Sequence, residues 1–191
     1  MSVRVSHRAG NGAIVPAMTE STTTTRERAD LLSQLAFTRR FLRHTLRDLD
    51  DEQARRRTTP SALCLAGIVK HVTAVERRWV AFIEEGPATM DDGGDMAATY
   101  EAHAATFRPE DTETLAGLLD EYEAVAARTD ALVASLPDLD ADHPLPERPW
   151  FEAGARWSAR RVVLHIVAET AQHTGHADII REALDGARSM G

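Results

Sequence analysis

The sequence predicts an all-α protein: a four-helix bundle with long connections after the second and third helices. Three observations lead there. Apolar residues recur at helical spacing in four separate stretches. No segment shows the convincing apolar–polar alternation of a half-buried strand. Gly, Pro and short polar residues punctuate the chain between those stretches. Amphipathic helices of this kind must bury their apolar stripes against one another, and an antiparallel-type bundle does that.

Taken in order, residues 1–25 are rich in Gly, Ser and Thr and end in Thr22-Thr23-Thr24-Thr25, so they read as a flexible tail, with Met18 an alternative start. Helix one is expected near Arg26–Leu49, where Leu31, Leu35, Phe41, Leu42, Leu46 and Leu49 form the apolar stripe. Arg39, Arg40, Arg43 and Arg47 read as its solvated face, and His44 as structural or exposed. Thr58-Thr59-Pro60-Ser61 is a loop, with Ser61 the expected N-cap of helix two. Helix two is expected near Ala62–Glu85, stopping before Gly86-Pro87. Residues 86–111 then form a polar connection. Its Asp91-Asp92-Gly93-Gly94-Asp95 run lacks the twelve-residue calcium-loop pattern, and a connection this long is often functional. Helix three is expected near Thr112–Leu136. Pro137, Pro144, Pro146 and Pro149 keep residues 137–156 from being helical throughout. Trp150, Phe151 and Trp157 make that stretch aromatic. They read as packing over the end of the bundle, with the lining of a substrate pocket as the other reading. Ser158 is the expected cap of helix four. The bundle thus covers residues 26–186, and 187–191 form a C-terminal tail.

Composition narrows the function. A chain of 191 residues fits one domain. Its 22 Lys+Arg against 30 Asp+Glu give −8. That balance speaks against nucleic acid as a partner, because phosphate binding needs a basic face. No apolar run is long enough to span a membrane, and residues 1–18 hold no continuous apolar stretch of the secretory kind. Cys64 is the one cysteine, so no intrachain disulfide forms and cytoplasmic residence is the default expectation. Cys64 itself reads as a buried packing residue.

The chemistry concentrates in the last helix. At about 100° per residue, Glu169 falls about 40° round the helix from His165, His173 about 80° and His176 about 20°. All four side chains share one stripe. Burying imidazoles and a carboxylate there is costly without a partner, and a divalent metal ion is the simplest one. His165 and His173 lie roughly 12 Å apart along the axis and are not expected to share an ion. The candidate pairs are His165/Glu169, Glu169/His173 and His173/His176. A third ligand must come from elsewhere, and His71 is the best donor. Ile68, Gly67, Val75 and Cys64 share its helix face, so His71 should point into a core. An imidazole facing a helix that carries Glu and His is how metal sites are built inside helical bundles.

Leu65-Ala66-Gly67-Ile68-Val69-Lys70-His71-Val72, followed by Glu76 and Trp79, resembles the second helix of the DinB superfamily. Trp157-Ser158-Ala159-Arg160, then His165, Glu169 and His173-Thr174-Gly175-His176-Ala177-Asp178, resembles its fourth. The likeness spans about residues 26–186 and is nearest an actinobacterial-type branch. That branch is related to mycothiol-dependent maleylpyruvate isomerase and to the bacillithiol and mycothiol transferases. The resemblance implies a four-helix bundle with a three-ligand metal site: His71 from helix two, and Glu169 and His173 from helix four. Other members place His, not Glu, at the position of Glu169. Three protein ligands leave an open position. There an ion holds a thiol as a thiolate nucleophile, or activates a water for hydrolysis.

The relatives use a low-molecular-weight thiol. The expected activity is therefore a metal-dependent, mycothiol-type S-transferase or isomerase acting on a small electrophile. The expected cofactor is a divalent metal, zinc first, with Ni, Fe or Mn as alternatives. His165 and His176 are the candidate catalytic residues, placed to orient a ligand or move a proton. Gln172 neighbours the stripe. Arg160 and Arg181 read as surface residues, with anchoring of a carboxylate-bearing thiol as the alternative. The resemblance is compatible with a homodimer, for which no residue pattern in the sequence marks an interface. Two other readings stay open: a non-catalytic metal-binding or interaction bundle, and a metal-dependent hydrolase. A zinc protease is not expected, because the chain has no HExxH motif.

Overall fold

The computed structural model describes residues 19–90 and 95–189. Four long helices make the bundle: α1 (Thr19–Thr45), α3 (Leu65–Glu85), α5 (Leu115–Ser135) and α6 (Ala159–Asp185). Two short ones are added, α2 (Asp51–Arg55) and α4 (Met96–Thr106), so six α-helices stand where four were expected. A 3₁₀ turn covers Pro87–Met90, and strands β1 (Asp142–Pro144) and β2 (Arg156–Ser158) pair antiparallel, His143 opposite Trp157.

Side-chain pairs fix the helix directions. Lys70 meets Glu113, Arg77 meets Glu121 and Arg128 meets Glu84, so α3 and α5 run parallel. Arg160 at the start of α6 pairs with Glu27 in the early part of α1, and Arg181 near its end donates to the Thr45 and Arg47 carbonyls. These two helices are therefore parallel as well. Leu31 and Leu35 of α1 pack with Trp79 and Phe82, and Leu42 and Leu46 with Leu65 and Ile68. The α1/α6 pair thus opposes the α3/α5 pair. With α3 and α5 parallel, the chain after α3 must return the length of the bundle before α5 can start. The connection expected as a polar loop does this, and α4 is part of it. Asp95 starts α4 by accepting hydrogen bonds from the Ala97 and Ala98 N–H groups through Oδ1. The Asp91–Gly94 part of the run considered for calcium lies outside the described residues.

The helix boundaries carry several corrections. Residues 19–25, expected in the tail, open α1; residues 1–18 of that tail lie outside the described residues. The cap of α3 is Cys64, not Ser61: its Sγ accepts from the Gly67 N–H, which sets the helix start at Leu65. Ser158 caps α6 as expected, accepting from the Arg161 N–H at 3.2 Å. Its place in the hairpin register explains how that cap is held.

The interior holds two apolar clusters. One contains Leu42, Leu46, Leu65, Ile68, Val72, Leu118 and Tyr122, and the other Leu31, Leu35, Trp79, Phe82, Val133, Val162 and Ile166. Polar side chains occupy the break between them. Arg39, expected on a solvated face, is 1 % exposed and sits on the same stripe as Leu35 and Leu42. It donates through Nε and Nη2 to Glu76, itself 1 % exposed, and through Nη1 to Asp130 at 2.7 Å. Burial alone would lower the Arg39 pKa, but Glu76 and Asp130 outweigh it and the net shift is upward. The Thr129 hydroxyl reaches the same Glu76 oxygen. Arg181 is likewise buried and holds Asp185 as well as the α1 carbonyls, so it is a structural residue and not a surface one.

Candidate metal centre

Helix α3 carries His71 and helix α6 carries Glu169 and His173. Their packing brings one ligand atom of each residue within 4.8 Å of the others. His71 is 2 % exposed and His173 8 %, while Glu169 is half-buried and opens toward a cavity. The i,i+4 spacing on α6 works as the sequence suggests: His173 Nε2 lies 3.6 Å from Glu169 Oε2. Glu169 Oε1 is 3.8 Å from His165 Nε2. His165 reaches the carboxylate from the other side and stays outside the trio.

Proton counting sets the state of His71. The Thr106 hydroxyl has one proton and gives it to the His103 carbonyl at 2.6 Å. At 2.7 Å from the same oxygen, His71 Nδ1 must then be the donor. That leaves Nε2 without a proton and its lone pair available, the form a metal ligand requires. Burial, followed by neighbouring His173 and His103, pushes the His71 pKa down to about 3. The ring is clamped as well as oriented, stacked on Phe107 at 3.7 Å between centroids. That contact depends on a glycine. A Cβ at position 67 would lie 2.1 Å from the Phe107 carbonyl oxygen, so only Gly67 lets the end of α4 come this close.

The carboxylate is tuned in the opposite sense. His173 beside it holds the Glu169 pKa below the ordinary carboxylate range, against the upward push of burial. Two imidazoles and a carboxylate are a donor set that suits a borderline-soft divalent cation. His176 Nδ1 lies 3.4 Å from His173 Nδ1, on the ring edge facing away from Glu169. His165 sits edge-on to Trp79 at 4.9 Å and to Trp157 at 5.1 Å, and burial lowers its pKa too. Gln172 is exposed, and Arg160 is engaged by Glu27 and Asp140.

A cavity of about 370 Å³ adjoins the cluster, with Glu169, His165 and His103 in its wall. Trp150 and Phe151 line it, while Phe151 and Trp157 also pack against the core and Trp157 stacks on Trp79. Sequence reasoning missed the whole contribution of α4: His103, Thr106 and the adjoining Phe107. Asp95 before an alanine-rich run was the available signal.

The fold and this cluster define an all-α bundle protein with a buried His/His/Glu site open to a cavity. A family model described as mycothiol-S-transferase matches residues 30–186, and the chain belongs to that family. No curated protein matches. A crystal structure of a conserved protein from Enterococcus faecalis is similar, with a TM-score of 0.55 at 14 % identity, covering 90 % of this chain and 100 % of that one, and it supports the fold alone. Family membership and the buried cluster together support a metal-dependent catalytic function. Among the described residues no helix is long and apolar enough to cross a membrane.

Proposed function

We propose that the protein joins a mycothiol-type low-molecular-weight thiol through its sulfur to a small electrophile, lastingly as an S-transferase or transiently as an isomerase. His71, Glu169 and His173 hold the divalent metal, with zinc the first choice. When bound, the metal supplies a means of keeping the thiol as thiolate near neutral pH. The observation that carries the reading is the convergence of three donors from two helices beside a cavity, in a chain of this family. In transfer, the thiolate sulfur forms a bond to the electrophilic carbon. The displaced electron pair leaves with the departing group or, in an addition, moves onto the acceptor and takes up a proton. In isomerisation the sulfur adds, the intervening bond rotates and the thiol is expelled.

The chain's own groups divide the remaining work. Thr106 and Phe107 orient His71. His176 orients His173 from the far edge of its ring. His165, half-buried in the cavity wall, is placed to move a proton.

Elemental analysis of protein purified without an affinity metal is the first test. About one divalent ion per chain in wild type, lost in His71→Ala and His173→Ala, is expected. Turnover of an electrophile should then require added thiol. Absence of metal after divalent ions are added back would remove the reading, and thiol-independent turnover would favour hydrolysis.

A further inference from the structure

The cavity wall carries more information than its size. Trp79 and Met90 are buried and form its inner side, while Tyr100 and Trp150 are 58 % and 49 % exposed. Exposed apolar side chains are informative when they adjoin one another over a cavity, not when they stand singly. These two come from different connections, Tyr100 from α4 and Trp150 from the segment after α5, yet their rings meet at 6.0 Å over the same cavity. Phe151 continues the wall inward toward Trp157 at 5.7 Å. Glu169 lines the same space, so whatever fills it lies against the ligand cluster.

We infer that this cavity takes a flat aromatic or conjugated electrophile, held against the Tyr100, Trp150 and Trp79 rings, with its reactive carbon at the Glu169 end. Its volume of about 370 Å³ is near the lower end of ordinary ligand pockets, which suits one or two fused rings with a short substituent. An acyclic polar electrophile would leave the aromatic wall wet and unpaired. A ring gains offset or edge-on contacts beyond simple area burial. Tyr100 and Trp150 are thus specificity-determining residues. The inference rests on the thiol-transfer reading for the word electrophile, but not for the shape and chemistry of the ligand.

Equilibrium binding to the metal-loaded protein, without thiol, tests it. The probes are 2-naphthalenemethanol and its fully saturated decalin counterpart, which share a skeleton and an alcohol but differ in aromaticity. The aromatic probe is expected to bind about threefold to tenfold more tightly. That preference should shrink toward unity in Trp150→Leu and Tyr100→Leu, which keep apolar bulk at exposed positions. Equal affinity for the two probes, or no binding of either, overturns the inference. So does a preference that both leucine variants retain in full. Failure of thiol-dependent turnover alongside a retained aromatic preference would sink the transfer reading and leave the ligand class standing.

Discussion

Helix α3 carries two buried polar residues five positions apart whose surroundings could hardly differ. Glu76 is closed in: Arg39 meets it through two nitrogens, Thr129 adds a third contact, and Arg39 is itself shared with Asp130. His71 is engaged on one edge only, through Nδ1 to Thr106, and its free edge meets His173 and a carboxylate whose other neighbours are imidazoles. The first cluster satisfies its own charges. The second gathers three donor atoms of the kind that hold a divalent cation. Buried polar groups are costly unless satisfied. The contrast therefore separates a cluster whose charges are satisfied within the protein from one whose donor atoms converge beside a cavity.

The largest expected effect comes from opening the closed cluster. Glu76→Ala leaves the Arg39 charge buried with Asp130 alone and should cost about 3–5 kcal/mol in urea unfolding. Replacing both partners, Arg39→Met with Glu76→Leu, should restore most of that stability. If the double variant is as unstable as the single, the cluster is not the self-contained unit described above. A smaller effect is expected at the open cluster. Thr106→Val removes the acceptor for His71 Nδ1 and should weaken divalent-metal affinity about 10- to 100-fold, with Thr106→Ser restoring it. Affinity unchanged in the valine variant would show that Thr106 does not set the ring.

The mildest effect is on pH dependence. The His71 pKa is about 3 in the folded protein and about 6.5 in an unfolded chain. As the pH falls below about 6.5, the unfolded chain binds this proton first. Metal-free protein should therefore hold this contribution fully above that pH and lose it progressively down toward pH 3. Unfolding in the presence of a chelator at pH 7 and pH 5 should show a shallower loss for His71→Gln than for wild type; parallel losses would contradict the assignment.

The two clusters were not equally legible in the sequence. His165, Glu169, His173 and His176 are spaced along one helix, so their shared stripe follows from periodicity, and His71 stands out on an apolar face. Arg39 also lies on an apolar stripe, four after Leu35 and three before Leu42, but three further arginines nearby made the group look like a solvated face. Its partners come from α3 and α5, and no local pattern pairs residues across helices. Arg181 follows Ala177 by four, but its carbonyl partners, Thr45 at the end of α1 and Arg47 just past it, are distant in sequence, and only Asp185 is local. The second layer of the metal centre was hidden further. Helix α4 has Ala, Thr, Tyr, Glu and His in an order with little amphipathic contrast, so Asp95 was its one local signal and the approach of Thr106 to His71 had none. Parallel packing of α3 and α5 made a return segment necessary, and that relation is tertiary.

The return segment has a consequence for how such proteins diversify. The four long helices hold the donor atoms, whereas the exposed rings at the cavity mouth belong to the two connections. The donor atoms and the exposed rings at the cavity mouth thus come from different stretches of chain, and loops tolerate exchange far better than packed helices do. Provided an incoming segment keeps Thr106 against His71 and its backbone at Phe107 against Gly67, transplanting other connections onto this bundle would alter what lines the cavity mouth while leaving the donor cluster intact.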